Sequence, residues 1–193
     1  MARFDPTNYA ASVTALLKEP RLMPLNHGQP DQNARERLSA LDEMLLFEGR
    51  AVRHHEMARA CLAALWLFHD FLDESHRISQ SLHGREGSYW HGIMHRREGD
   101  FANAKYWFRR TGAHPIHEAL SLSARALMRE MNVNGALVSA SGGWDPAAFV
   151  DLCAGACAGH NDAAELCRRI QQREWQLLFD FCYRRALVPG RPK

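Results

Sequence analysis

The sequence lacks the features of a β-protein, because no two segments of alternating apolar and polar residues are joined by a hairpin turn. Apolar residues instead recur at intervals of three and four, as at Leu38, Leu41 and Leu45, which is the spacing of one face of an α-helix. The 193 residues are enough for one domain with a buried core. We therefore predict an all-α fold of about eight helices, packed as a bundle of antiparallel helical hairpins in a single domain over residues 1–193.

An excess of charge of one sign is also missing. The 24 Lys and Arg residues and 22 Asp and Glu residues leave a net charge of +2, so bulk charge predicts neither a nucleic-acid partner nor a membrane partner. The apolar run through Cys61–Phe68 is far too short to cross a bilayer, and the first residues do not form a secretory signal. The five cysteines are an odd number, which favours free thiols over a disulfide framework. These features predict a cytoplasmic protein.

Glycine and proline are absent from Ala51 to His83, so no residue of this segment marks a turn. Apolar residues keep helical spacing along it, as at Met57, Cys61 and Leu65. One helix of about 45–50 Å is one prediction, at 1.5 Å per residue. A helical hairpin with an unmarked turn near His69 is the alternative. The uninterrupted spacing favours the long helix.

Two aspartates mark the starts of helices elsewhere. Asp31 precedes a segment with helical spacing, and Asp145 is followed by Pro146, a proline position that needs no amide donor. The glycines within residues 132–143 predict a loop with room for a short extended piece. The tail from about residue 188 contains prolines and a glycine and is expected to fray.

The most informative stretch is Ser88–Pro115, which combines a turn signal with a high density of aromatic, histidine and arginine residues. Gly99-Asp100 supplies the residue types of a tight turn. The stretch therefore predicts two antiparallel helices, roughly Ser88–Glu98 and Phe101–Thr111. In such a hairpin, Phe108 is expected to fill the groove between the helices.

The spacing of Gly92, Gly99-Asp100-Phe101, Ala104, Phe108 and Pro115 resembles that of a tetratricopeptide repeat. Two histidines depart from the family, since His91 and His95 stand where a repeat usually has a leucine and a tyrosine. No second copy follows at a period near 34 residues. The resemblance implies a single tetratricopeptide-like hairpin over residues 88–115 within a larger helical domain. The residues 89–101 are also similar to the signature of a family of uncharacterised bacterial and fungal proteins, which implies no particular function.

Candidate metal ligands repeat with one spacing on two helical segments, at i, i+4 and i+7, a spacing that places side chains on one helix face. Imidazole and carboxylate groups from facing helices hold zinc, iron or manganese in helical bundles. One hypothesis is that both faces ligate such a divalent metal. The alternative is that the histidines are polar core residues bonded to serine, tyrosine or backbone groups. The six candidates are His69, Asp73 and His76, followed by His91, His95 and Glu98.

The segment between Arg85 and Arg110 contains six basic and three acidic residues. Arginines bind anions through charge-assisted hydrogen bonds, and tryptophan faces offer stacking surfaces. The alternative is that Arg97 and Arg109 pair with carboxylates nearby in the sequence and the other cations are solvated. The segment thus predicts an anion-binding surface formed by Trp90, Arg96, Arg97, Lys105, Trp107, Arg109 and Arg110.

Two functional classes follow from these patterns. The first is a binding module that takes a partner protein or a small anionic molecule through the 88–115 hairpin. The second is a metal-dependent enzyme, a hydrolase or an oxidoreductase, with its site between the 69–76 and 91–98 segments, where the metal would activate water or oxygen. The sequence alone leaves both classes open.

Overall fold

The computed structural model describes residues 4–133, 137, 143–159 and 163–188, and these residues contain α-helices and no β-strand. The all-α prediction is confirmed. Among these residues, a 3-10 helix, Pro6–Asn8, precedes ten α-helices, more than the eight or so expected, and the division of residues 51–83 into two helices accounts for one of the additional ones. The α-helices are α1 (Ala11–Leu17), α2 (Gln32–Ser39), α3 (Glu43–Leu46), α4 (His55–Phe68), α5 (Leu72–Ser79), α6 (Arg85–Glu98), α7 (Phe101–Thr111), α8 (His117–Glu130), α9 (Pro146–Cys157) and α10 (Ala164–Leu187).

Helix α10 takes part in both groups of buried apolar side chains. Trp175 and Phe179 of this helix stack with their ring centroids 5.0 Å apart, and the indole N–H of Trp175 donates a hydrogen bond to the Ala64 carbonyl of α4 at 2.9 Å. Nearer its N-terminus, Ile170 of the same helix belongs to a second group that includes Phe149 of α9. Burial of each large side chain contributes about 1.5–3 kcal/mol, so α10 holds the two groups together.

Both aspartates that predict helix starts cap helices. Asp31 Oδ1 accepts a hydrogen bond from the Asn33 amide at 3.1 Å. Asp145 Oδ1 accepts hydrogen bonds from the amides of Ala147 at 2.9 Å and Ala148 at 3.1 Å. Each cap satisfies amide groups that lack partners within the helix. Most of the expected 132–143 loop and the tail after residue 188 lie outside the described residues.

The prediction of one long helix over residues 51–83 is wrong. Helix α4 ends at Phe68 and α5 begins at Leu72, so the alternative of a turn near His69 is correct. Asp70 has a φ of 64° in this turn, in the left-handed region that aspartate tolerates better than most side chains.

The buried Asp70 carboxylate connects this turn to distant parts of the chain. Its Oδ1 lies 2.5 Å from Arg97 Nη2, and its Oδ2 forms an ion pair with Arg21. The Arg97 guanidinium also donates hydrogen bonds to the carbonyls of Asn26 and Leu67. These contacts fix the direction in which α5 leaves α4, and α5 then packs against α6.

Helices α6 and α7 have the bounds expected for the hairpin, apart from three additional residues at the start of α6. Gly99 turns the chain between them with a φ of 85°. The small Gly92 permits close packing, because a Cβ atom there would lie 3.1 Å from the Phe108 ring. Phe108 is 4% exposed, which confirms its predicted place in the core.

No helix among the described residues has both the length and the apolar character that crossing a membrane requires.

Candidate metal centre

Three histidines from two helices meet beside the α6–α7 hairpin. His91 and His95 lie one turn apart on α6 and are almost fully buried, at 3% and 6% exposure. His76 of α5 is half-buried and shares a helix face with the buried residues Leu72 and Ser79. Helical periodicity and the packing of α5 on α6 therefore direct all three imidazoles to one place.

The imidazole rings are arranged as a stack with one ring beside it. His91 stacks on Trp107 of α7 at 4.0 Å between centroids and 14° between planes, and on His95 at 4.7 Å and 16°. The His76 ring is turned by 65° to His91 and by 70° to His95, at 4.7 Å and 5.3 Å. The stack restrains the His91 and His95 rings, and the His76 ring lies at a steep angle to both.

The nitrogen atoms of the three histidines are spaced within reach of one transition-metal ion. One ligating nitrogen from each histidine lies within 4.8 Å of the other two. Three atoms with this spacing always have a point within about 2.8 Å of each of them, whereas zinc–imidazole bonds are about 2.0–2.1 Å. Shifts of less than about 1 Å per ring would close that difference in distance. The stacked His91 and His95 rings, whose planes differ by 16°, would also have to rotate so that both lone pairs point to one ion.

Burial favours the neutral form of the His91 and His95 rings. Burial, with the neighbouring His95 and His76, lowers the pKa of His91 to about 3. Burial also lowers the pKa of His95, although Glu98 acts in the opposite direction. A metal ligand must offer a lone pair, which only the neutral imidazole has. His91 Nδ1 is buried and has no hydrogen-bond partner among the described residues.

Two polar side chains contact His95. Glu98 Oε2 lies 2.9 Å from its Nδ1. Asn103 of α7 places its amide nitrogen 3.1 Å from Nε2 and 3.5 Å from Nδ1. Glu98, proposed from the sequence as a ligand, thus joins the cluster through His95. Asn103 was missed by the sequence interpretation, and only the register of the hairpin, which opposes residues 95 and 103, could have indicated it.

Two of the six predicted ligands lie apart from the cluster. His69 Nδ1 is 3.1 Å from Asp31 Oδ2, and its Nε2 is 3.1 Å from the Leu16 carbonyl oxygen, so both nitrogens of this ring have partners elsewhere. Asp73 is exposed on the first turn of α5. The break between α4 and α5 separates His69 from His76, and Asp73 lies on the exposed side of α5.

The predicted anion-binding surface does not form, because three of its members are buried. Arg96 Nη2 lies 2.5 Å from Glu174 Oε2, and its guanidinium is 4.6 Å above the Phe149 ring. Arg97 is held by Asp70, not by the nearby carboxylates that the alternative proposed. Trp90 is 0% exposed and therefore offers no face to a ligand.

The remaining members of the predicted anion-binding set lie on α7 and make different contacts. Lys105 Nζ is 2.5 Å from Asp151 Oδ1 of α9. Trp107 stacks on His91, and the Arg110 guanidinium is 5.2 Å above the Trp107 ring. Arg109 and Arg110 are exposed. Of the cations in the predicted set, Arg109 and Arg110 are therefore the exposed ones, whereas Arg96, Arg97 and Lys105 are in ion pairs.

Among the residues that the structure describes, His76, His91 and His95 are the group whose potential ligand atoms, one nitrogen from each, lie within reach of one metal ion. Three of the six predicted ligands are thus brought together, and a fourth, Glu98, contacts one of them. In comparisons with family models, curated proteins and solved structures, the chain has no match.

Proposed function

We propose that the protein binds one divalent transition-metal ion, preferentially zinc, through His76, His91 and His95. The observation that carries the proposal is the approach of their three nitrogens to within 4.8 Å of one another. The buried, unpartnered Nδ1 of His91 within the described part of the chain adds support, because buried polar atoms in folded proteins almost always have a partner.

The donor set favours zinc over iron or manganese. Imidazole nitrogen suits zinc, copper and nickel, whereas manganese and non-haem iron sites usually include carboxylate oxygen. Among the predicted carboxylates, Asp73 is exposed outside the cluster and Glu98 is bonded to His95. Three imidazoles without a bound carboxylate are the ligand set of one class of catalytic zinc sites.

A metal-dependent hydrolase is the enzyme class that this set supports. Zinc with three protein ligands keeps one position for water and lowers the pKa of that water to about 7. The residues of this chain would hold the ion and exclude bulk water on the side of Trp107, which covers one face of His91. Half-buried His76 marks the side from which solvent and a substrate would approach.

Competition titration tests the proposal. Protein freed of metal would be titrated with zinc in the presence of a chromophoric chelator, and one equivalent should bind. His76→Ala should weaken binding by at least about 100-fold, because it removes one of three ligands while leaving the core intact. His83→Ala is the matched control, since His83 is exposed and lies outside the cluster. It should bind zinc as the wild type does.

Thermal unfolding gives a second measurement on the same samples. Zinc at about 100 times its Kd should stabilise the wild type by about 2.7 kcal/mol, because only the folded protein presents the three rings together. The His76→Ala protein should gain much less under the same conditions. Equal zinc uptake by wild type and His76→Ala, or no stoichiometric uptake by the wild type, would contradict the proposal.

The outer face of α7 supports a second candidate function. Helices α6 and α7 form the segment whose sequence resembles a tetratricopeptide repeat, and Tyr106 of α7 is 45% exposed. Arg109 and Arg110 lie beside Tyr106 and are exposed. This surface is where a partner protein or a small anionic molecule would bind the hairpin, without using the buried Arg96 and Arg97.

A further inference from the structure

We propose that Glu98 is a positioning residue that fixes the tautomer of His95 and directs its Nε2 to the metal ion. The inference rests on the proposed metal function and adds a role for a side chain that is not itself a ligand. Glu98 and Asn103 both contact His95, and their geometry gives them different roles.

The contact between Glu98 and His95 determines where the imidazole proton lies. A carboxylate can only accept a hydrogen bond, so Nδ1 at 2.9 Å from Glu98 Oε2 is the donor. A neutral imidazole carries one proton, which leaves the lone pair of His95 on Nε2.

The contact between Asn103 and His95 leaves that lone pair free. A donor in line with the Nε2 lone pair at 3.1 Å would stand about 5 Å from Nδ1, because the two nitrogens lie on opposite sides of the ring. The Asn103 amide nitrogen is instead 3.5 Å from Nδ1. It therefore lies over the ring face, in an N–H···π contact.

The place of Glu98 in its helix supports a role in the site. Glu98 is the last residue of α6, and a negative charge there interacts unfavourably with the helix dipole. Helix stability thus gives no reason for a carboxylate at this position. A carboxylate that accepts the second N–H of a ligating histidine raises the basicity of the ligand and holds its orientation.

The experiment compares Glu98→Ala with Asn103→Ala, which removes the other polar neighbour of His95 and serves as the matched control. Zinc affinity would be measured by competition with a chromophoric chelator at pH 7.5. Glu98→Ala should weaken binding 10- to 100-fold while one equivalent still binds. Asn103→Ala should stay within about 3-fold of the wild type because its amide does not block Nε2. Glu98→Gln, whose amide oxygen can still accept the hydrogen bond, should fall between Glu98→Ala and the wild type.

Nitrogen NMR of the metal-free proteins provides a readout that a purely structural role would not change. His95 should be protonated on Nδ1 in the wild type and in Asn103→Ala, and should populate the Nε2–H tautomer in Glu98→Ala. Glu98 has a side chain that is 25% exposed, so the variant should fold, which a thermal melt without metal verifies.

The outcomes separate this inference from the proposed function. If the wild type binds zinc and the zinc affinity of Glu98→Ala is within about 3-fold of it, the positioning role is overturned and the metal site remains. An unchanged His95 tautomer in Glu98→Ala would have the same consequence. A wild type that binds no zinc would overturn both, whatever the tautomer.

Discussion

Mild acid should destabilise this protein, because two histidines stay neutral in the folded state. Burial, together with neighbouring cationic or titratable groups, lowers the pKa of His91 to about 3 and that of His117 to about 4. The pKa of a histidine in an unfolded chain is about 6.5. As the pH falls below 6.5, the unfolded chain binds two protons that the folded protein excludes, so the free energy of unfolding decreases. The contribution is complete above pH 6.5 and is lost progressively between pH 6.5 and the folded pKa values.

The size of the loss follows from these pKa differences. Each pH unit in that window corresponds to about 1.4 kcal/mol per histidine. At pH 5.0, His91 and His117 should each have removed about 2 kcal/mol relative to pH 7.5, or about 4 kcal/mol together. That is a large share of the roughly 5–15 kcal/mol by which a domain is stable. His69 and His95, whose pKa values burial also lowers, act in the same direction.

Urea unfolding at pH 7.5 and pH 5.0, with a chelator present to keep metal away, measures this loss. The comparison is between the wild type, His91→Gln and His83→Gln, the last being a change at an exposed histidine. The quantity of interest is the difference in unfolding free energy between the two pH values, because His91→Gln also alters stability at both. His91→Gln should reduce that difference by about 2 kcal/mol, and His83→Gln should leave it as in the wild type.

A wild type equally stable at both pH values would refute the reasoning about neutral buried histidines. A pH difference in His91→Gln as large as that of the wild type would show that His91 takes up its proton without unfolding. Opening of α5 away from α6 would permit such uptake.

Two further predictions concern the hairpin. Phe108→Ala should cost about 3–5 kcal/mol in a denaturant melt, because Phe108 is buried against Gly92, and a loss below about 1 kcal/mol would exclude Phe108 from the core. Titration with inorganic phosphate, followed by NMR, should shift the side-chain signals of Arg109 and Arg110 but not those of Arg96, whose guanidinium is paired with Glu174. Unchanged Arg109 and Arg110 signals would count against a small anionic ligand at α7.

Local periodicity predicted the parts of the site that lie within one helix. His91 and His95 share a face because α6 continues unbroken between them, and His76 faces them because α5 is also a helix. The same spacing did not predict the position of His69, because His69 is the C-cap of α4 and is not on the helix that carries His76. The break after His69 is held by Arg97 and Arg21, which are 27 and 49 residues from Asp70 in sequence. A pattern read over one or two turns contains no information about partners at such distances.

The buried arginines illustrate the same limit. A dense run of cations near tryptophans predicted an exposed anion site, yet the partner of Arg96 is Glu174, 78 residues further along the chain. The residue types alone predict that Arg96 and Glu174 are exposed, because charged side chains are rarely buried unless they are paired. The pairing itself is visible only in the structure. Sequence patterns therefore predicted most of the helices, with two of the clustered histidines on α6 and one on α5. The packing of α10 against α6 made the Arg96–Glu174 pair internal.

The residue at position 70 must adopt a left-handed backbone conformation and must also carry a negative charge. Together these two requirements restrict which residues can occur there. Glycine would suit the left-handed backbone at φ 64° but would bring no charge to Arg97 and Arg21. Asparagine tolerates the same backbone and is also uncharged, whereas glutamate carries the charge on a longer side chain that tolerates this backbone less well. Homologous chains that retain Arg97 are therefore expected to retain aspartate at this turn. Where the turn has become glycine, Arg97 should have been replaced in the same lineage, so the two positions should co-vary.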